Sequence, residues 1–230
     1  MDIFTNHQID AVIHTATSYG RKGESDLEIF KANVLFSMDL LECAKKFNTH
    51  SFFNTDSLQY QYINSYTLTK KQFVEWGKRY SASCKLKFIN MKLEHVYGPK
   101  DDDSKFISWF IKQIKEEVPE INLTAGTQKR DFIHVLDVVA AYLLLLDNSN
   151  GLSGFEEFEV GTGHSIQARD FLNEIVEAFE EKQGKKIKTR LNFGVIPMRK
   201  GEPDEIYANN IDLKLLGWDI IGNGLNFHFE

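Results

Sequence analysis

Three short apolar runs, separated by two long helical patterns, dominate the first hundred residues. The runs lie at about 10–15, 51–54 and 87–92, and the helical patterns between them span about 26–47 and 65–80. Parallel strands need a crossover of a dozen or more residues, usually a helix, and such crossovers are right-handed. The alternation therefore predicts an α/β fold built on a doubly wound parallel sheet.

The pattern changes after about residue 99, where shorter and more varied elements follow one another. Helices are expected at about 104–117, 136–148 and 166–181, and short strands near 121–124, 131–133 and 156–160. Val96-Tyr-Gly-Pro99 is expected to be a turn between the two regions. We therefore predict two domains, with residues 1–98 forming the parallel sheet and residues 99–230 forming mainly a smaller mixed α/β domain.

Composition excludes several classes of protein. The 230 residues carry a net charge of −6, with both signs interspersed, which does not favour a nucleic acid or an anionic membrane as partner. Cys43 and Cys84 lack the spacing of a metal site, no histidine pattern suggests a metal either, and so few cysteines suggest reduced thiols. No apolar stretch reaches membrane-spanning length and the start does not resemble a signal peptide, so we expect a cytoplasmic protein.

Tyr66 and Lys70 form the first candidate for chemistry. Their spacing of four residues places a phenol and an ammonium on one face of the predicted helix. A free tyrosine, with a pKa of about 10, is a poor base at neutral pH. A lysine beside it favours the phenolate, which makes proton exchange with a hydroxyl or carbonyl feasible. The alternative is an exposed pair on a helix surface, since this spacing arises readily by chance.

Several short motifs occur in an order that adds weight to this pair. They are HTAT at 14–17, Asn33, NTDS at 54–57, YTLTK at 66–70, LEHVYGP at 93–99, GTQKRDFIHVLDV at 126–138 and MRKGE at 198–202. In this order the sequence resembles the extended short-chain dehydrogenases, which include nucleotide-sugar 4-epimerases, 4,6-dehydratases and 4-keto reductases. The resemblance covers about residues 8–217 and implies a Rossmann-like sheet followed by a nucleotide-sugar domain.

The resemblance also implies roles for individual residues. Thr55, Tyr66 and Lys70 correspond to the catalytic Ser/Thr-Tyr-Lys set, with Thr55 orienting a sugar oxygen, Tyr66 moving the proton, and Lys70 lowering the tyrosine pKa and holding the ribose of NAD or NADP. The residues expected to line the cofactor, besides Tyr66 and Lys70, are His14, Thr15, Ala16, Thr17 and Asn33. From the residues alone, His14 and His134 have another interpretation, as satisfied histidines of the core.

Three residues are expected to contact the substrate: Arg130 and Arg199 resemble a pair that clamps the nucleotide-sugar diphosphate, and His95 replaces the usual asparagine beside them. A guanidinium matches phosphate oxygens bidentately. The alternative for Arg130 is a surface salt bridge, for instance with Asp131.

Asp56 matches the general acid of the 4,6-dehydratases, but Ser57 stands where that branch has a glutamate. A reductase or epimerase is therefore favoured over a dehydratase. The LEHVYGP block looks most like that of reductases of CDP-4-keto-6-deoxyglucose. The resemblance further implies a homodimer formed through the helices at 26–47 and 65–80.

One motif that the resemblance requires is missing from these 230 residues. A dinucleotide fold holds its pyrophosphate at a G-x-G-x-x-G turn after the first strand, and no such spacing occurs. We therefore expect a truncated family member that lacks the first strands of the sheet, with residues 10–15 as an apolar edge strand. Such a chain is expected to bind NAD(P) weakly. The alternative is a non-catalytic nucleotide-sugar-binding module or an inactive fragment.

Overall fold

The computed structural model describes residues 2–198 and 201–221. Its helices are α1 (Asp2–Asn6), α2 (Asp26–Phe30), α3 (Phe36–Lys46), α4 (Ser65–Ser83), α5 (Phe106–Lys115), α6 (Val135–Asp147), α7 (Ala168–Gln183) and α8 (Ile211–Leu215). Its strands are β1 (Ala11–His14), β2 (Ser51–Ser57), β3 (Lys87–Leu93), β4 (His95–Tyr97), β5 (Glu120–Leu123), β6 (Lys129–Arg130), β7 (Phe132–His134), β8 (Phe155–Val160), β9 (Ile166–Gln167), β10 (Arg190–Phe193) and β11 (Glu205–Ile206).

The chain forms two compact units, between which it passes several times. The first unit contains the described residues of 1–93, 141–160 and 210–218. The second contains those of 94–140, 161–209 and 219–230. Helix α6 therefore begins in the second unit and ends in the first.

A four-stranded parallel sheet in the order β1-β2-β3-β8 forms the centre of the first unit. The predicted α/β fold with a parallel sheet is confirmed. Within the described residues β1 pairs only with β2, so it lies at the edge of this sheet, as expected. The side chain of Ile13 on this strand is 47% exposed. The edge therefore carries apolar surface, although a parallel strand is normally buried on both faces.

Aromatic rings fill the space between this sheet and α4. Phe52 and Phe88, on adjacent strands, stack with centroids 5.6 Å apart, and Phe73 of α4 packs edge-on against both. All three rings are almost completely buried. Helix α4 begins after Asn64, whose side chain accepts a hydrogen bond from the backbone N–H of Thr67 at 2.9 Å. This cap and the aromatic layer fix where the helix starts and which face it turns to the sheet.

The second unit is a mixed α/β structure, with three small sheets in the orders β10-β5, β11-β6-β9 and β4-β7. Its core includes Phe110, Phe132, Phe171 and Ile175 from α5, β7 and α7. One local prediction was wrong: the expected turn at 96–99 begins as strand β4. The cause is a long-range interaction, since β4 pairs in parallel with β7 more than thirty residues later.

The helix expected at 26–47 forms, but a π-helical segment, Lys31–Leu35, separates α2 from α3. Ser25 caps the start of α2 through a capping box with Glu28. No helix within residues 2–198 and 201–221 is both long and apolar enough to cross a bilayer.

Gly77 offers a direct test of the contact between α4 and the sheet. A Cβ at this position would lie 2.3–2.5 Å from three atoms of the Phe88 ring. Gly77→Ala should therefore lower the free energy of unfolding by about 1–3 kcal/mol in urea denaturation, despite the better helix propensity of alanine. Gly151→Ala is the matched control, because a Cβ there meets nothing within 4 Å. Equal stabilities of the two variants would contradict this packing.

Candidate active site

The carboxyl end of β2 and the first turns of α4 carry the main candidate residues of the first unit. Tyr66 and Lys70 lie one turn apart on α4, and Thr55 and Asp56 lie near the end of β2. The Asp56 carboxylate acts electrostatically on both Tyr66 and Lys70. Ligands of open α/β sheets bind outside the carboxyl ends of the strands, which is where these residues lie.

Tyr66 is half-buried in the protein. Its ring lies 4.8 Å from that of Tyr19, and the Arg21 guanidinium covers the Tyr19 ring at 4.7 Å. Burial, followed by Tyr19 and Asp56, raises the pKa of Tyr66 above its ordinary value, and only Arg21 opposes this. The expected lowering of this pKa by Lys70 is therefore wrong, because removal of water from around the phenol dominates. Tyr66 is a neutral phenol at physiological pH.

Lys70 is a buried ammonium. Its side chain is 3% exposed, and its Nζ makes no hydrogen bond or salt bridge within the described part of the chain. Burial lowers the pKa of Lys70 to about 8, with Asp56 opposing the shift and Lys71 adding to it. A buried polar group usually has a hydrogen-bond partner. An unpaired ammonium here is therefore suited to bind a polar ligand.

Thr55 points away from Asp56, because successive side chains of a strand alternate between the faces of the sheet. The Oγ1 atom of Thr55 lies 2.6 Å from the hydroxyl oxygen of Tyr142 on α6. Asp56 lies on the α4 side, where its Oδ2 accepts hydrogen bonds from Lys71 Nζ at 2.8 Å and from Asn90 Nδ2 at 3.1 Å. Asp56 is 2% exposed and is the buried partner of an ion pair.

A polar network continues from Asp56 across the ends of β3 and β8. Asn90 donates to Glu157, and Lys92 forms salt bridges with Glu157 and Glu159 at 2.9 and 2.8 Å. Lys92 is therefore engaged by carboxylates of the neighbouring strand.

His14 occupies a core position, among the rings of Phe36, Phe52 and Phe73 at centroid distances of about 6 Å. Its Nε2 lies 2.7 Å from Ser37 Oγ, which itself donates to the carbonyl of Asn33. Nε2 must therefore carry the proton and donate to Ser37. Burial, followed by Lys70, lowers the pKa of His14 to about 4, so the ring is neutral. This geometry matches the alternative interpretation of His14 as a satisfied core histidine.

Asn33 lies in the π-helical segment and holds the loop after β1. Its Oδ1 accepts from Thr17 Oγ1 and the Ser18 N–H at 3.0 and 2.7 Å, and its Nδ2 donates to the Ser18 carbonyl and Thr69 Oγ1 at 2.9 and 3.0 Å. These four bonds use both donors and both lone pairs of the amide. Asn33 therefore positions the loop through the protein's own groups. The neighbouring Thr15 and Ala16 are exposed.

His95 and Arg130 belong to the second unit. His95 Nδ1 lies 2.7 Å from Oε2 of Glu94, whose side chain is fully buried, while the histidine side chain is 32% exposed. Arg130 is 2% exposed and forms an ion pair with Glu202 at 2.8 Å. The ion-pair partner of Arg130 is Glu202, whereas the alternative interpretation named Asp131 as an example. Arg199 lies outside the described residues.

Asp131 is instead bound by the turn at 161–163. Its carboxylate accepts hydrogen bonds from the backbone N–H groups of Thr162 at 2.8 Å and Gly163 at 2.9 Å. A Cβ on Gly161 would lie 2.5 Å from this carboxylate. The turn therefore binds a carboxylate of the protein itself.

Sequence reasoning missed Tyr142, Lys71 and Glu94. Tyr142 carries the one polar tip in the apolar run Ala140-Ala-Tyr-Leu-Leu-Leu-Leu146, and a buried tyrosine hydroxyl usually finds a partner. That signal could have singled out Tyr142 as a residue with a buried hydroxyl, but it could not have identified Thr55 as the hydrogen-bond partner. Lys71 and Glu94 carry no comparable signal, because their partners are decided by packing.

Comparison with known proteins supplies the family. The model of the NAD dependent epimerase/dehydratase family matches residues 1–161 of the chain. CDP-abequose synthase of Salmonella typhimurium is 38% identical over 213 residues, which cover 90% of this chain and 70% of that protein. The chain belongs to the NAD dependent epimerase/dehydratase family.

Further members of the family are more distant. The chain is 26% identical over 254 residues to the bifunctional UDP-glucose 4-epimerase and UDP-xylose 4-epimerase 3 of Arabidopsis thaliana. The alignment covers 94% of this chain and 70% of that protein. UDP-glucose 4-epimerase of Thermus thermophilus, crystallised with NAD, shares its fold with a TM-score of 0.81 at 21% identity, covering 98% of this chain and 78% of that one. The Rossmann-like fold is confirmed.

The buried Lys70 predicts an unusual pH dependence of stability for this family member. Its folded-state pKa of about 8 lies below the ordinary 10.5, so the unfolded chain binds more protons between these values. The penalty is complete below pH 8 and disappears as the pH rises to 10.5. Lys70→Met should therefore raise the unfolding free energy at pH 7 by up to about 3 kcal/mol, and by much less at pH 10.

Urea denaturation at both pH values measures this difference. Lys85→Met is the matched control, because Lys85 is exposed and should change the stability by less than about 0.5 kcal/mol. A Lys70→Met variant that is destabilised at pH 7 would mean that Lys70 has an internal partner.

Proposed function

We propose that this protein reduces the C4 carbonyl of a nucleotide-linked 4-keto hexose with NADH or NADPH. The observation that carries the proposal is the pair of groups on α4, the half-buried, neutral Tyr66 phenol and the buried Lys70 ammonium, neither of which has a hydrogen-bonding partner among the described residues. Tyr66 and Lys70 lie beside the carboxyl end of the sheet, where ligands of this fold class bind.

The proposed direction is reduction, for which a protonated Tyr66 is suited. A phenol that keeps its proton is suited to donate it to a carbonyl oxygen that becomes a hydroxyl. A nicotinamide cofactor, when bound, supplies the hydride that C4 receives. In this proposal Thr55 donates a hydrogen bond to the C4 oxygen, and Lys70 donates to the ribose hydroxyls of the dinucleotide.

Two observations favour reduction over dehydration. Ser57 replaces the glutamate of the dehydratases, and its hydroxyl accepts a hydrogen bond from the Gln59 N–H at 3.2 Å. One oxygen of the Asp56 carboxylate, Oδ2, is already held by Lys71 and Asn90 within the protein. The similarity to CDP-abequose synthase supports a CDP-linked 4-keto-6-deoxy sugar as the substrate class.

The fit of these residues to a dinucleotide is partial. Lys70 suits the ribose next to the nicotinamide, but the 230 residues contain no G-x-G-x-x-G spacing for the pyrophosphate. We infer that this chain by itself binds NADH weakly. Fluorescence titration of the purified protein with NADH measures this, with Lys70→Met as the control for specific binding, and saturation at low micromolar NADH would contradict the inference.

Turnover tests the proposed role of Tyr66. With CDP-4-keto-6-deoxyglucose as substrate and NADH or NADPH in large excess, Tyr66→Phe should lower kcat by about 100-fold or more, because the proton donor is lost. Tyr60→Phe is the matched control, since Tyr60 is 55% exposed. The rate is followed by the absorbance of the reduced cofactor.

Equal rates for the Tyr66→Phe and wild-type proteins would contradict the assignment. Binding of the nucleotide sugar without any turnover would instead favour a non-catalytic nucleotide-sugar-binding module, for which the missing glycine turn is the supporting observation.

A further inference from the structure

Tyr142 is a buried tyrosine whose polar tip meets a candidate catalytic residue. It lies in the part of α6 that belongs to the first unit, and it is 8% exposed. Its ring packs 6.3 Å from that of Phe53, on the same face of β2 as Thr55. Within residues 2–198 and 201–221, the hydrogen bond to Thr55 Oγ1, at 2.6 Å, is the one that its hydroxyl makes.

The direction of this hydrogen bond follows from the acidity of the two hydroxyls. Either oxygen can donate by geometry. A phenol is far more acidic than the aliphatic alcohol of threonine, and is therefore the better donor. Burial raises the pKa of Tyr142 to about 12, against a smaller lowering by the Thr55 hydroxyl, so the phenol keeps its proton at neutral pH.

We propose that Tyr142 is a positioning residue that donates its hydrogen bond to Thr55 and thereby directs the proton of the Thr55 hydroxyl toward the substrate oxygen. Because the Tyr142 hydroxyl occupies one lone pair of Thr55 Oγ1, the proton of the threonine hydroxyl points away from Tyr142. Successive hydrogen bonds polarise one another, so a threonine that accepts from Tyr142 is a stronger donor to its ligand. This inference rests on the proposed function, in which Thr55 meets the C4 oxygen of the sugar.

The inference can be separated from turnover by measuring binding. Isothermal titration calorimetry with CDP and with CDP-glucose yields the ratio of the CDP-glucose affinity to the CDP affinity. This ratio measures what the sugar contributes to binding. Thr55→Val removes the hydroxyl that contacts the sugar, and Tyr142→Phe removes the hydroxyl that directs it while keeping the ring. We expect each variant to lower the ratio about 3–10-fold, the effect of one lost hydrogen bond. The double variant should lower it no further, and CDP affinity should not change.

Tyr80→Phe is the matched control. Tyr80 is also buried in the first unit, at 7% exposed, and its hydroxyl bonds to Glu42 on α3. A loss of packing alone would affect Tyr142→Phe and Tyr80→Phe alike, would affect CDP and CDP-glucose alike, and would add to the effect of Thr55→Val. The predicted result is therefore one that a merely structural hydroxyl does not produce.

The outcomes separate the two proposals. If Thr55→Val lowers the ratio and Tyr142→Phe leaves it at the wild-type value, Tyr142 does not direct Thr55 and the inference is overturned, while the proposed function stands. Additive effects in the double variant overturn it as well. If Thr55→Val leaves the ratio unchanged, or if the wild-type protein binds CDP-glucose no more tightly than CDP, Thr55 is no sugar contact. The proposed function then fails, and the inference with it.

Discussion

The packing of α4 against the aromatic face of the sheet is the constraint on which the candidate site depends. Gly77 lets the helix approach Phe88, and Phe73 fills the space between Phe52 and Phe88. With the helix held at this depth, Lys70 is withdrawn from water and Tyr66 is half-buried. Their shifted pKa values, upward for the phenol and downward for the ammonium, are consequences of that burial. The chemistry proposed for the site thus depends on the apolar packing of Phe73 and Gly77 against the sheet, farther along the same helix.

The end of β2 divides the candidate residues between the two faces of the sheet. Asp56 joins Lys71 and Asn90 on the α4 side, whereas Thr55 meets Tyr142 on the α6 side. A strand cannot avoid this alternation. It leaves the phenol of Tyr66 and the hydroxyl of Thr55 in different settings, one without a hydrogen-bonding partner among the described residues and one held by a tyrosine. The division suits a site in which one hydroxyl transfers a proton and the other orients an oxygen.

Several residues that resemble ligand contacts act on the protein itself. Asn33 uses its whole amide to hold the loop at 17–18, and His14 is a neutral donor to Ser37. Arg130 pairs with Glu202. Motif position alone therefore does not distinguish a residue that touches a ligand from one that supports it. Counting the hydrogen bonds already satisfied within the protein does distinguish them, because a saturated amide has nothing left to offer a ligand.

The sequence by itself determined the alternation of strands and helices, the parallel sheet and the family, because periodicity and motif order are local properties of the chain. It also indicated Thr55, Tyr66 and Lys70 as one set. The tertiary structure alone decided that Tyr66 is a neutral phenol, that Asp56 belongs to an ion pair and that Tyr142 meets Thr55. Each of these depends on burial or on a partner far away in the chain. The distance from Thr55 to Tyr142 is 87 residues, which no local pattern spans.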